Sequence, residues 1–285
     1  MIRRSLIAMV SLGLGLIACG RRSQPSRPLE AKVLVERIRD ASRANDQPLV
    51  TQLSGELARL GQRAISEVGE LLEDDDPRVA NVAMGLLGAP ENREALDIAT
   101  RDAIALLPSF RVKGGGPGTH RLDRLGSLAV PAMADALRGE LPRQSGVLLV
   151  MIAAHVDDNA GLPVIEKALV HPSSEIKATA AWALGEMKAP NARERLQALL
   201  DSSDVELRGG AIDGLRILGD THAVPALLRV LELPDVEIPQ TGTSMGAGET
   251  HTLHSHAAHA IDELIKLPLD GNVARIREWL NEHPQ

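Results

Sequence analysis

Residues 175–204, EIKATAAWALGEMKAPNARERLQALLDSSD, align without a gap on residues 206–235, ELRGGAIDGLRILGDTHAVPALLRVLELPD, at a shift of 31. Ile176 falls on Leu207, Ala180 on Ala211, Leu184 on Leu215, Met187 on Leu218, Leu196 on Leu227 and Leu200 on Leu231. One period earlier the same register catches Ala153, Val156, Ile165 and Leu169. Further upstream, AVPAMADAL (129–137) echoes AVPALLRVL (223–231), and PRVANVAMGLLG (77–88) echoes EIKATAAWALGE. A fixed period of this length marks a chain built from stacked copies of one small unit.

Inside each unit the apolar positions of the later segment recur at i, i+4, i+8 and i+11, the spacing of one face of an α-helix, and a shorter apolar helix ending in Leu precedes it. Each unit is therefore expected to be a helical hairpin. Ser203, Asp204 and the run Asp74–Asp76 stand where second helices begin and offer oxygens to free amide groups. Gly219 and Asn191 stand where the hairpins turn. The composition agrees: Phe110, Trp182 and Trp279 are the only aromatic side chains and Tyr is absent, whereas sheets draw on aromatic and β-branched residues.

One such hairpin cannot bury its own apolar face, so neighbours must stack. The expected fold is all-α, a right-handed solenoid of about six hairpins, with two helices over residues 29–60 as an N-terminal cap and one over 271–281 as a C-terminal cap. The pattern apolar, Arg/Lys, x, x, Ala, Ala/Ile, x, Ala/Gly, Leu, Gly, then a turn and Ala-Val-Pro-Ala-Leu, resembles the short HEAT-like repeats named after phycobilisome lyases. The resemblance covers roughly residues 60–266 and is strongest over 145–233. It implies a concave groove on the order of 50 Å long, from helices about 8–10 Å apart, and protein or peptide binding along it. The family name alone implies bilin lyase activity.

Two stretches break the period. SFRVKGGGPGTHR (109–121) has the glycines of a phosphate loop but lacks the Lys-Ser/Thr and the preceding strand that such a loop needs, so it reads as a surface connection. Residues 238–252, IPQTGTSMGAGETHT, are an insertion. Leu200 to Leu207 spans 7 positions, but the corresponding Leu231 to Leu253 spans 22.

Four of the nine histidines follow directly, in HTLHSHAAHA (251–260). If Leu253 is equivalent to Leu207, this stretch is the second helix of a sixth hairpin. At about 100° per residue, His256 and His259 lie roughly 60° apart on one face, with His254 some 140–160° away. The four cannot grip one ion on an intact helix. A metal site would combine His256 and His259 with His251 from the insertion, or with an acid of the neighbouring repeat such as Asp213, the repeat equivalent of His259; three ligands with an open position would suit zinc. The HEAT-like di-iron deoxyhypusine hydroxylase uses repeated His-Glu pairs, and this chain has no His-Glu dipeptide. The alternative is a protein-recognition surface formed by Trp182, Asp213, Arg216, His256 and His259.

The N-terminal stretch MIRRSLIAMVSLGLGLIAC (1–19) has Arg3 and Arg4 before an apolar run too short to span a bilayer, as in a secretory signal. Its end, Leu16-Ile17-Ala18-Cys19, resembles the lipobox of bacterial lipoproteins. That resemblance implies cleavage after residue 18, acylation of Cys19 and anchoring on the outer face of a membrane, in the outer membrane if there are two. Cys19 is the sole cysteine, so no disulfide framework is expected. GRRSQPSRP (20–28) reads as a tether, and 29–60 and 61–285 as cap and solenoid. Loss of residues 1–18 removes Arg3 and Arg4 and takes the formal charge from −7 to −9, the wrong sign for nucleic acid. No nucleophile elbow, zinc-protease motif or dinucleotide fingerprint is present, so no cofactor is expected. His155 closes the apolar run VLLVMIAAHV and is expected to be hydrogen-bonded at a helix end.

Overall fold

The computed structural model describes residues 27–107, 116–239 and 252–284, and every regular element among them is helical. Helices α1 (Arg27–Arg43) and α2 (Gln47–Leu60) come first. Six hairpins follow, each with a first helix, A, and a second, B. They are α3 (Ile65–Leu72) with α4 (Pro77–Leu87), α5 (Arg93–Ala105) with α6 (Pro117–Leu125), and α7 (Val130–Ala136) with α8 (Arg143–Ala154). Then come α9 (Leu162–Leu169) with α10 (Ser174–Glu186), α11 (Ala192–Leu199) with α12 (Val205–Leu218), and α13 (Val224–Glu232) with α14 (Leu253–Ile265). Helix α15 (Val273–Glu282) closes the stack against α13.

Local chemistry sets these boundaries. Pro131, Pro163 and Pro225 sit in the first turn of α7, α9 and α13, where a missing N–H costs nothing. Asp204 Oδ1 accepts the Leu207 amide at 3.2 Å and Asp76 Oδ1 accepts that of Arg78 at 2.9 Å, so both cap their B helices. Ser203 does not cap; it is exposed, and Ser202 Oγ instead accepts the Asp204 amide at 3.1 Å. Gly219 (φ 74°) and Asn191 (φ 54°) take the left-handed conformation where the chain turns out of one helix or into the next.

The aligned apolar positions form a continuous core. Ile176, Ala180 and Leu184 of α10 are buried, as are Leu207, Ala211 and Leu215 of α12, and Leu196 and Leu227 of the A layer. Each of the larger side chains stabilises the rod by about 2 kcal/mol through burial. Ala257 and Ile261 continue the row on α14. B helices stack on B helices: α10 packs on α8 and most extensively on α12, which in turn packs on α14. The A helices α9, α11 and α13 meet one another far less. Over α8–α14 the B layer is tight and the A layer spread, so this part of the rod curves toward B, and its B helices line the inner face.

The most extensive contact between B helices, α10 on α12, is made by small residues. A Cβ at Gly185 of α10 would stand 2.1 Å from the Gly214 carbonyl oxygen of α12, and one at Gly210 would stand 2.3 Å from that of Ala178. The two backbones touch directly. Gly118 plays the same part earlier in the chain. The stretch 109–121 reads from sequence as a connection, but α6 begins at Pro117, and Gly118 is buried with its Cα against α5; a Cβ there would be 2.3 Å from the Ala103 carbonyl. Residues 108–115 lie outside the described chain.

Candidate functional site

Equivalent positions on successive B helices form rows along the inner face. One row contains Met151, Trp182, Asp213 and His259; the next, toward the C-terminal ends, contains His155, Glu186, Ile217 and Glu263. Met151 is 40% exposed, and Trp182 is half-buried, its ring packed against the apolar core beneath it. His155 is exposed at the end of α8, where Nδ1 donates to the Met151 carbonyl at 2.8 Å.

On α12 and α14 the rows turn polar. His256 Nδ1 lies 3.5 Å from Asp213 Oδ2, and Arg216 Nε lies 3.7 Å from Asp213 Oδ1. The other arm of Arg216 reaches Glu263 Oε2 at 2.8 Å, and Glu263 Oε1 lies 3.2 Å from His259 Nε2. The result is a chain of alternating basic and acidic side chains, His256–Asp213–Arg216–Glu263–His259, bridging two helices. The Arg216 hydrogen bond holds the Glu263 carboxyl below its usual range. All five side chains are at least partly solvated, so each pair contributes only a few tenths of a kcal/mol to stability.

Sequence reasoning brings Asp213, Arg216, His256 and His259 to one surface, and the structure joins them there. Of the two histidines grouped with Asp213, His256 meets it and His259 meets Glu263. Glu263, the acid that links Arg216 to His259, is absent from the sequence-based set, although its position four residues after His259 on a helix is the available signal. Trp182 lies one helix away on α10. Cys19 and His251 lie outside the described residues.

The arrangement bears directly on metal binding. Among the described residues, no three His, Cys, Asp or Glu side chains converge in a way that could hold an ion. The two imidazoles face different carboxylates, and a guanidinium already stands between those carboxylates. His254 points elsewhere, as the helical angle requires, with Nε2 2.8 Å from the Leu233 carbonyl oxygen.

The foot of the insertion is built beside this network. Glu237 and Thr252 form an antiparallel bridge, and the Leu253 amide donates to the Val236 carbonyl at 2.9 Å. The His254 amide donates to Asp235 Oδ1 at 3.0 Å. Partial burial alone would raise the Asp235 carboxyl, but this N–H and its neighbours outweigh it and hold the group low. Thr252 and Ser255 form a reciprocal cap on α14.

Residues 161–243 match the family of HEAT repeats. Over 84 residues, 29% of this chain, the sequence is 33% identical to the epoxyqueuosine reductase of Staphylococcus aureus, and it spans 22% of that protein's length. Among solved structures, the complex of CpcE and CpcF of phycocyanin lyase from a Nostoc species aligns over 95% of this chain and 99% of the other, at 18% identity and a TM-score of 0.33. An engineered protein aligns over 92% and 93% of the respective chains, at 15% identity and a TM-score of 0.30.

Proposed function

We propose that this chain is a rigid protein-binding scaffold, held on the outer face of a membrane by an acylated Cys19, whose protein or peptide partner lies along the inner, B-helix face of the solenoid. The observation that carries the binding reading is the convergence on that face of a half-exposed Trp182 with Asp213, Arg216, His256 and His259, from three successive hairpins. Large aromatic and Arg side chains in partly desolvated settings are the usual anchors of protein interfaces. Binding is favoured over catalysis because Asp213 and Glu263 are both engaged by Arg216, which leaves neither poised as a base. The activities named for the relatives belong to those proteins. The anchoring and the extracytoplasmic address rest on residues 1–19, where a charged start, a short apolar run and Leu16-Ile17-Ala18-Cys19 occur together.

Site-specific photocrosslinking in the native cell tests the binding face. A benzophenone amino acid at position 182 is expected to capture a discrete partner band, and the same group at Ala198, exposed on the A helix α11, is expected to capture none. Equal labelling from both positions, or none from 182, would sink the reading. For the anchor, Cys19→Ser should abolish incorporation of an alkyne-tagged fatty acid and release the chain from the membrane fraction.

A further inference from the structure

The inner face changes character along its length. On α8 and α10 the face presents Leu148, Met151 and Trp182, half-buried or exposed apolar side chains, with the exposed His155 one turn beyond Met151. On α10, α12 and α14 it presents Glu186, Asp213 and Glu263. Two permanent cations act on these three acids: Arg216 spans Asp213 and Glu263, and Lys266 also acts on Glu263, while Glu186 is exposed and makes no ion pair among the described residues. This stretch therefore has an apolar end and a net-negative end, in a chain whose formal charge is −7.

The spacing of the rod sets the spacing of a ligand. Neighbouring B helices are about 8–10 Å apart, and an extended peptide advances about 3.3 Å per residue, so one helix-to-helix step corresponds to roughly three residues. We propose that the inner face over α8–α14 recognises an extended basic segment. An apolar side chain packs on Met151 and Trp182, a Lys or Arg three residues along reaches Asp213, and a second, three further, reaches Glu263. Opposite charge supplies orientation, and the apolar contact supplies most of the hold. This inference deepens the binding reading above and rests on it.

The test uses the full chain carrying Trp279→Phe, so that fluorescence reports Trp182, with three synthetic peptides. These are Leu-Ser-Ser-Arg-Ser-Ser-Arg, its Glu-for-Arg counterpart, and Leu-Arg-Arg-Ser-Ser-Ser-Ser with the same charge at the wrong spacing. The first is expected to perturb Trp182 emission saturably, and the other two to bind at least tenfold more weakly. Asp213→Asn should weaken the first peptide about threefold, the size expected of one partly solvated ion pair, and Met151→Lys should abolish its binding. Equal binding of the Glu peptide or of the respaced peptide, or no response to any of the three, would overturn the basic-segment assignment. If position 182 nonetheless crosslinks a partner in the cell, the scaffold reading survives that failure; if neither position does, both fall together.

Discussion

Two consecutive B-helix junctions, α10 against α12 and α12 against α14, occupy the same place in the repeat and are built in opposite ways. At the first, Gly185, Gly210 and Gly214 let two backbones meet, so the joint admits no side chain on its axis. At the second, charged side chains span the gap, and the insertion is rooted beside it. The first holds position through close packing, which resists any change in volume. The second holds chemistry, which tolerates change and is open to an incoming ligand. A scaffold needs both in adjacent units: a stiff segment to fix the curve and a soft one to be read.

Substitutions can break or sharpen that contrast. Gly185→Ala should have the largest effect. In a slack helix interior the change would gain about 1 kcal/mol; here the added Cβ meets a backbone carbonyl, and a loss of about 3 kcal/mol is expected, on the order of 10 °C in the melting midpoint followed by circular dichroism. A rise in the midpoint would show that the junction is loose.

Asp204→Ala comes next. Asp204 caps α12, accepts Ser174 Oγ at 2.8 Å and pairs with Lys177, tying the starts of α10 and α12 together. Its loss should cost about 1–2 kcal/mol at neutral pH by urea titration. Partial burial would raise this carboxyl, but the Lys177, Ser174 and Leu207 hydrogen bonds outweigh it and the group is lowered. A depressed acid stabilises the fold above its unfolded pKa and loses that contribution as pH falls through its folded value. The gap between wild type and variant should therefore narrow below about pH 4, and a gap that widens there would contradict the assignment.

At the polar junction the effects should be smaller. Arg216→Met removes the bridge between Asp213 and Glu263, both partly solvated, for about 1 kcal/mol or less. His259→Ala, at an exposed pair, should stay within about 0.5 kcal/mol in the same titration. A loss from His259→Ala as large as that from Gly185→Ala would erase the distinction between the two joints.

Much of this was legible in the sequence, and the illegible parts share a cause. The 31-residue shift gives the hairpins, their core positions and the caps at Asp204 and Asp76, because all of these are local or repeat with the period. Contacts between repeats depend on how far one helix slides against the next, which periodicity does not encode. Hence which histidine meets Asp213, and which acid of α14 Arg216 reaches, emerge only from the packed helices. Glycines mislead for the same reason: Gly118 reads as part of a flexible connection, and its actual role is to let α6 lie against Ala103. Trp182 sits where the period places it, on a B helix in the row of Asp213, though its burial against the core is visible only in three dimensions.

The bridge between Glu237 and Thr252 has a consequence for how this rod can be altered. Chain leaving α13 and chain entering α14 are stitched together at the foot of the insertion, so the helices register a closed ring and not the number of residues in it. The entropy of closing such a ring grows only with the logarithm of its length. The site is thus a natural socket for grafting: an epitope or a binding loop exchanged between Ile238, which packs against Gly209 of α12, and Thr252 should leave the stack of hairpins and its melting behaviour unchanged.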